Sequence, residues 1–387
     1  MLIKNQDYLR RRNQSLVLKM VLEHGPISRA EIAKKTMMSP TSASRIVTSL
    51  LKEGLIREKK ISTSQVGRKA IYFVPNEDYF ISFGVEIDVN RISIGMINFV
   101  GEWLEAKSFY CDTASSESVI NVISDTIHDM LKRQKFSESK IIRICVGLPG
   151  IIDIESGVVQ ASAQLNWRDI PLKKLLEARL PYEVQIENEL NLKALAEYEA
   201  FQSTYGTVAI IGFGKGVGSS VIVNGDIFRG AHNYSGEIGH TTVDPYGVYC
   251  PCGNFGCLQT YIAEQFLISE ASKTRTINSV NEIIRYYERD EKWAQNIIDK
   301  ALIYMGVAIN NVVCTYNPEV VVLSGSLIEN YSTIRALILE TYKENIWKPL
   351  LDSFELKITN TRNKGVVMGA ALNLQQHFID NFDEKGD

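Results

Sequence analysis

One short segment concentrates the residues that could bind a metal ion. Within residues 237–260, His240, Cys250, Cys252 and Cys257 offer one imidazole and three thiolates. These are ligands that Zn²⁺ prefers, and four of them close a tetrahedral shell that leaves no position for water. Cysteines clustered in this way indicate metal binding in a reducing compartment rather than a disulfide framework. We expect a structural zinc site, with unliganded buried cysteines as the alternative.

Charge divides the chain into a basic and an acidic part. Residues 1–75 contain 15 Lys+Arg and 5 Asp+Glu, so they carry +10, whereas the whole chain carries -3 and the remainder therefore -13. A basic module of this size is attracted to polyphosphate, and the acidic remainder is not. The alternative is a basic face that is merely solvated.

The basic part has the pattern of a winged helix-turn-helix. Ser28 with Glu31 forms a capping box, and Ser39-Pro40 supplies an N-cap followed by proline at the first helical position. We expect helices over Asn13–His24, from Ser28 to near Thr36 and over Thr41–Lys52, then strands over Leu55–Ser62 and Ala70–Val74. The alternative is a three-helix protein-interaction module of the same shape.

Small hydroxyl side chains and one arginine lie on the outward side of the third helix. Such residues permit close approach to a major groove, and a basic tip between two strands can lie against phosphates. The expected DNA contacts are Thr41, Ser42, Ser44, Arg45 and Thr48 on the helix, and Arg68 and Lys69 on the wing.

The acidic part contains two similar openings, each a strand, a turn and a second strand, near residues 80–98 and 207–225. Two such halves indicate a bilobal α/β fold with a ligand in the cleft between them. We place the DNA-binding domain at residues 1–77 and the bilobal domain at 78–387. No apolar run reaches membrane-spanning length and the N-terminus lacks a signal-peptide core, so a cytoplasmic location without membrane contact is expected.

The metal segment resembles the signature of the ROK family (repressors, open reading frames and sugar kinases). It contains Gly-Glu-Ile-Gly-His at 236–240 and Cys-Pro-Cys-Gly-Asn-Phe-Gly-Cys at 250–257. The resemblance implies an actin-like, sugar-kinase-like fold, and the basic module in front is similar to the repressor branch. It also implies a set of sugar-binding residues, namely Asn166, Asn188, Glu189, Glu237, His240 and Gln259.

Two departures from the family pattern suggest lost kinase chemistry. Glu86–Asn90 stands where the resemblance implies Asp-x-Gly-Gly-Thr, so Asp88 and Val89 replace glycines that admit ATP phosphates. Glu189 stands at the position of the catalytic aspartate and is one methylene longer. We therefore expect no catalytic residue and no ATP. Gln259 replaces the family's glutamate after the last cysteine.

The resulting hypothesis is a non-enzymatic repressor of sugar uptake or catabolism genes. Its expected partners are double-stranded operator DNA, a sugar effector such as xylose and a second copy of the chain, with a tetramer as the alternative to a homodimer. Two other hypotheses stay open. One is an active ROK sugar kinase that carries a DNA-binding head, and the other is a regulator that responds to a protein partner.

Overall fold

The computed structural model describes residues 6–60, 71–134, 141–201 and 204–381. The head consists of α1 (Gln6–His24), β1 (Ile27–Ser28), α2 (Arg29–Thr36), α3 (Pro40–Lys52), β2 (Ile56–Lys60) and β3 (Ile71–Pro75). The strands form one antiparallel sheet in the order β1-β3-β2. Both expected caps are confirmed, because Ser28 and Glu31 form the capping box and Ser39 accepts from the Ser42 amide. The tip of the wing lies outside the described residues.

The first helix differs from the sequence prediction in two respects. It begins at Gln6, seven residues before Asn13. Leu16 was expected on the buried face but is exposed, whereas Leu18 is fully buried beside Val17. The pattern was misjudged because neighbouring apolar residues satisfy helical spacing in more than one phase.

The first lobe has a five-stranded sheet and a small second sheet. It comprises β4 (Phe80–Asp88), β5 (Arg91–Asn98), β6 (Trp103–Tyr110), α4 (Ser116–Arg133), β7 (Ile141–Leu148), β8 (Ile151–Asp153), β9 (Val158–Ser162), β10 (Trp167–Ile170), α5 (Leu172–Glu177) and β11 (Glu183–Asn188). The large sheet has the order β11-β7-β4-β5-β6, and the small one has the order β10-β9-β8. Strand β4 pairs antiparallel with β5 and parallel with β7.

The second lobe repeats this topology. It follows α6 (Glu189–Ala200) and comprises β12 (Thr207–Phe213), β13 (Val217–Val223), β14 (Asp226–Ile227), α7 (Gln259–Ile262), α8 (Glu264–Ser272), α9 (Val280–Tyr287), α10 (Lys292–Tyr316), β15 (Val320–Ser324), α11 (Ser326–Glu329), α12 (Ser332–Thr341) and β16 (Glu355–Ile358). The last helix, α13 (Gly365–Asp380), follows it. The sheet order of the second lobe, β16-β15-β12-β13-β14, matches that of the first lobe strand for strand. The prediction of two similar halves is therefore confirmed.

Helix α10 is the one point at which the expectation about apolar runs was wrong. Among the described helices it alone is long and apolar enough to cross a membrane, with a mean hydropathy of 1.5 over its most apolar window. Half of that window is buried inside the protein. Its buried side chains, such as Met305 and Ile309, belong to the core of the second lobe, as in the core helix of a globular domain.

Each of two helices packs on the lobe that it does not directly follow in sequence, and the two helices cross each other. Helix α6 follows the last strand of the first lobe but packs on β12 and β13 of the second, whereas α13 follows the second lobe and packs on β4 and β7 of the first. They approach closely at Gly369, where a Cβ atom would lie 1.7 Å from the Leu192 carbonyl oxygen. This crossing connects the two lobes, and we refer to it as the hinge.

The head shares a hydrophobic core with the last helix. Head residues such as Leu18 and Phe73 belong to one buried cluster with Phe80, Leu374 and Phe378. The hydroxyl of Ser15 also donates to the Ile379 carbonyl oxygen at 2.6 Å. The head is therefore fixed to α13 by packing as well as by its covalent link.

Candidate functional site

The segment between β14 and α7 brings four possible metal ligands together. One ligand atom from each of His240, Cys250, Cys252 and Cys257 lies within 4.8 Å of the others. The Cys252 and Cys257 sulfurs are 3.6 Å apart, and His240 Nδ1 is 3.9 Å from Cys250 Sγ. Ligand atoms around a tetrahedral Zn²⁺ are separated by about 3.8 Å when the metal–sulfur bond is about 2.3 Å. The arrangement fits a single ion of that kind.

Tight turns make this cluster possible. The Cys250 amide donates to the Asn254 carbonyl at 2.8 Å. This hydrogen bond closes a tight loop that contains Cys252 and ends shortly before Cys257. Gly256 adopts φ +63°, and a Cβ there would lie 1.5 Å from the Asp244 carbonyl oxygen. Only glycine tolerates both the conformation and this approach.

Gln259 occupies a position that was not expected. Its Nε2 donates to Cys250 Sγ at 3.1 Å, and its contact with a sugar stays a prediction. A hydrogen bond to a metal-binding sulfur orients the ligand and stabilises its thiolate. In this structure the amide therefore supports the cysteine cluster.

A cleft between the lobes contains two of the expected sugar contacts. Asn188 and Glu237 both line it, together with Glu187, Asn191 and Ser219. The Ser219 amide donates to the Gly236 carbonyl at 2.8 Å, which holds the segment before Glu237 on strand β13. Burial raises the pKa of Glu237, and the nearby His240 opposes this shift.

Asn188 is also the N-cap of α6. Its Oδ1 accepts from the Leu190 amide at 2.8 Å, and its Nδ2 donates to the Gly150 carbonyl at 3.1 Å. One amide hydrogen and one lone pair remain for a ligand, since a carboxamide offers two donors and two acceptor sites. The start of the hinge helix is therefore part of the cleft wall.

Sequence reasoning missed an ion pair that crosses this cleft. Glu187 is 2% exposed, and its Oε2 lies 2.6 Å from Nη1 of Arg229 in the second lobe. Its other oxygen accepts from Asn191 Nδ2 at 2.9 Å. A buried carboxylate directly before Asn188 was the available signal, but its partner is distant in sequence.

Four predicted sugar contacts are not among the described residues that line this cleft: Asn166, Glu189, His240 and Gln259. Asn166 has φ +57° and an exposed side chain at the turn before β10. Asparagine is a common choice for such a left-handed turn, which explains its presence here. His240 and Gln259 lie beside Cys250 Sγ, which agrees with the expected metal-binding role of His240. Their contacts with a sugar stay predictions.

Glu189 lies beside the cleft in an acidic environment. Burial raises the pKa of Glu189 to about 8, and the nearby carboxylates of Asp88 and Glu86 raise it further than Lys193 and Lys215 can offset. Its carboxyl group is therefore largely protonated at neutral pH. A base must be ionised to accept a proton, so this environment opposes the role that the position has in a kinase.

The turn that would face nucleotide phosphates is bridged by an ion pair. Asp88 Oδ1 lies 3.1 Å from Lys215 Nζ of the second lobe and also accepts from the Val89 amide at 2.6 Å. Lys193 is likewise paired, with Glu329 at 2.5 Å. The cations near Glu189 are thus already engaged by carboxylates.

The expected DNA-contact residues fall into two groups on α3. Thr41, Arg45 and Thr48 form an exposed stripe, whereas Ser42 and Ser44 are half-buried on its flanks. Arg29 of α2 fixes one flank, donating from Nη1 to Ser44 Oγ at 2.5 Å and to Thr48 Oγ1 at 3.2 Å. Arg68 and Lys69 lie outside the described residues, so their roles stay predictions.

Comparison with known proteins identifies both parts of the chain. The ROK family model matches residues 82–377 and the MarR family model residues 11–64. The xylose repressor of Bacillus spizizenii is 29% identical over 380 residues, covering 98% of both chains. A crystal structure described as a ROK family transcriptional regulator, homolog of E. coli MLC protein, superposes with a TM-score of 0.80 at 23% identity, covering 96% of this chain and 97% of that one.

A kinase of the same fold lacks a counterpart for part of the chain. The ROK hexokinase of Thermus thermophilus superposes with a TM-score of 0.65 at 24% identity, and the match covers 97% of the hexokinase but 76% of this chain. At this identity the likeness concerns the fold alone. The ROK family model matches far more than half of the 387 residues of the present chain. The chain therefore belongs to the ROK family.

Proposed function

We propose that this protein is a cytoplasmic transcriptional repressor whose affinity for operator DNA is controlled by a sugar. The observation that carries the proposal is the shared core between the head and α13. This shared core connects the head to the hinge of a sugar-kinase-like body. The head contains α3, whose exposed stripe is formed by Thr41, Arg45 and Thr48. The xylose repressor that matches over nearly the whole chain supports the same conclusion.

The proposed effector is an uncharged sugar that binds in the cleft. Among the described residues that line it, Glu187 and Glu237 are acidic and none is Lys, Arg or His. The guanidinium group of Arg229, which lies beside Glu187, is paired with that carboxylate. A phosphate group would lose hydration without gaining a counter-charge, whereas sugar hydroxyls can donate to carboxylates and accept from Asn188.

The proposed cofactor is a structural zinc ion held by His240, Cys250, Cys252 and Cys257. The donor set and the ligand separations fit this metal. A zinc ion supplies folding free energy at such a site, and here it would hold the loop that follows Glu237. These residues would thereby fix one wall of the cleft.

Two features disfavour phosphoryl transfer: one concerns the base and the other concerns the site for phosphate. The raised pKa of this carboxyl leaves little base at neutral pH, and Asp88 with Lys215 bridges the turn that would receive phosphates. One observation favours the alternative kinase: the glycine-rich segment from Gly212 to Gly218 still contains a short turn between β12 and β13. Coupled ATP turnover with a panel of hexoses and pentoses tests it, and sugar-dependent turnover would support the kinase.

The repressor is tested by binding the zinc-loaded protein to the DNA upstream of its own gene and of the neighbouring genes. Fluorescence anisotropy at low salt should show binding, and one unphosphorylated sugar from a pentose and hexose panel should change the affinity by about 5–150-fold, the usual range of allosteric coupling. We expect a homodimer by sedimentation, because two half-sites need two heads. Absence of DNA binding would refute the proposal.

A further inference from the structure

A cleft of about 270 Å³ opens in the head between α1 and α3. Its polar walls are formed by Arg10, Asn13, Gln14, Ser42, Arg45 and Ser49. No carboxylate is among these lining residues, and within the described part of the chain neither arginine forms an ion pair. Two guanidinium groups therefore border an opening that contains no negative charge.

Gln14 shows that one polar group of this cleft lacks a hydrogen-bond partner. The side chain is 3% exposed, and its Oε1 has no hydrogen-bond partner among the described residues. Its Nε2 donates to Ser49 Oγ at 3.4 Å, and the Ser49 hydroxyl in turn donates to Glu53 at 2.7 Å. Because Gln14 lines the cleft, a group bound in the cleft can supply the donor that its Oε1 lacks. A buried acceptor left without a partner costs about 1–3 kcal/mol, so such a group calls for an explanation.

A guanidinium group can provide that donor and bind an anion at the same time. It carries five N–H groups in a rigid fork and can address two acceptors in different directions. Arg10 or Arg45, turned into the cleft by an anion, could donate one N–H to Gln14 Oε1 and two to the anion. The buried amide would then orient the arginine.

The position of the cleft identifies the anion. Arg45 belongs both to its wall and to the exposed stripe of α3. When a recognition helix lies in the major groove, its flanks face the two sugar–phosphate backbones. Arg29 occupies the flank near α2, and the cleft occupies the opposite flank, near α1.

We propose that this cleft binds a backbone phosphate of duplex DNA, with Arg10 of α1 as a DNA-contacting residue. The inference rests on the proposed DNA-binding function and adds a helix to the expected interface. Because a backbone phosphate is present in every sequence, the contact contributes affinity and register rather than base discrimination.

The test uses the full chain loaded with zinc and any mixed-sequence duplex of about 30 base pairs, so the operator need not be known. Anisotropy titrations over a range of salt compare the wild type with Arg10→Ala, Arg10→Lys and Arg12→Ala. Arg12 is the matched control because it removes the same charge from the same helix, about 200° around the axis from Arg10. Thermal unfolding verifies that each variant is folded.

We expect Arg10→Ala to lower the salt slope by about 0.9 per head, which corresponds to about an eightfold loss of affinity at 0.1 M salt. Arg10→Lys should recover part of this loss, and Arg12→Ala should leave the slope near the wild-type value. Equal slopes for Arg10→Ala and Arg12→Ala would overturn the proposal while leaving DNA binding intact. A wild type that binds no duplex would overturn the proposed function itself.

A second arm separates DNA phosphate from a free phosphate ester. Inorganic phosphate and glucose 6-phosphate are titrated into the DNA-free wild type and Arg10→Ala while the melting temperature is measured. We expect no difference between the two proteins. A phosphate-dependent stabilisation that Arg10→Ala abolishes, without any change in DNA affinity, would show a metabolite site and overturn the assignment to DNA.

Discussion

Replacing Glu189 with glutamine should change how the stability of the protein depends on pH. The side chain lies beside the cleft, and burial raises its pKa to about 8 with further contributions from Asp88 and Glu86. Glutamine has nearly the same shape as the protonated acid but cannot ionise. The substitution therefore removes the charge and retains the volume.

The sign follows from the proton balance. The folded protein keeps the Glu189 proton up to about pH 8, whereas the unfolded chain loses it near the ordinary value of 4.5. Between these values the folded state binds more protons, so stability falls as the pH rises and the cost is fully present above pH 8. A pKa change of one corresponds to about 1.4 kcal/mol. The upper limit is thus about 5 kcal/mol, and the partial solvent exposure of the Glu189 side chain reduces our expectation to about 2–4 kcal/mol.

Urea unfolding of the zinc-loaded protein near pH 5 and near pH 8 measures this effect. Glu189→Gln should be about as stable as the wild type near pH 5 and more stable near pH 8. Glu199→Gln on the exposed side of the same helix is the control and should follow the wild type at both pH values. If the difference between Glu189→Gln and the wild type were the same at both pH values, the reasoning about a buried, protonated carboxyl would be wrong.

Three further substitutions test other parts of the structure. Cys252→Ser should lower the melting temperature and release zinc to a chromogenic chelator, whereas Cys314→Ser, at an exposed cysteine outside the cluster, should change neither. Arg29→Ala removes the donor to Ser44 and Thr48 and should weaken the head by about 1.5–3 kcal/mol, as judged by urea unfolding, and lower DNA affinity. Ser15→Ala removes the hydrogen bond to Ile379 and should reduce the effect of sugar on DNA affinity while leaving calorimetric sugar binding unchanged.

The features that the sequence predicted well are those encoded by neighbouring residues. The capping box of Ser28 and Glu31 and the Ser39-Pro40 start of α3 each lie within a few positions, so local chemistry determines them. The metal cluster is also local, because all four candidate ligands lie between His240 and Cys257. Such features do not depend on how distant parts of the chain meet.

The features that the sequence could not reveal depend on contacts between distant residues. Glu187 and Arg229 pair across the cleft, and Asp88 pairs with Lys215 across the lobes. Gln259 donates to Cys250 Sγ because the loop closes around the cysteines. The amino-acid composition does not specify this geometry. Each residue type was visible in the sequence, but its partner was not.

Asn188 shows why a cap and a ligand contact need not be alternatives. Its Oδ1 fixes the first turn of α6, and the same residue lines the cleft. A sugar that hydrogen-bonds to Asn188 therefore acts on the end of a helix. A rigid helix transmits such a displacement along its axis, whereas a loop would absorb it.

Contacts at the hinge connect α6, through α13, to the head. Leu192, in the first turn of α6, meets Gly369 of α13 so closely that a side chain would not fit, so the two helix backbones are in direct contact. Helix α13 in turn shares its buried face with the head. Packed interfaces of this kind adopt discrete arrangements rather than deforming continuously. In the proposed dimer, sugar binding need only favour one of two arrangements to alter the spacing of the two heads, and DNA binding must then change sugar affinity by the same factor.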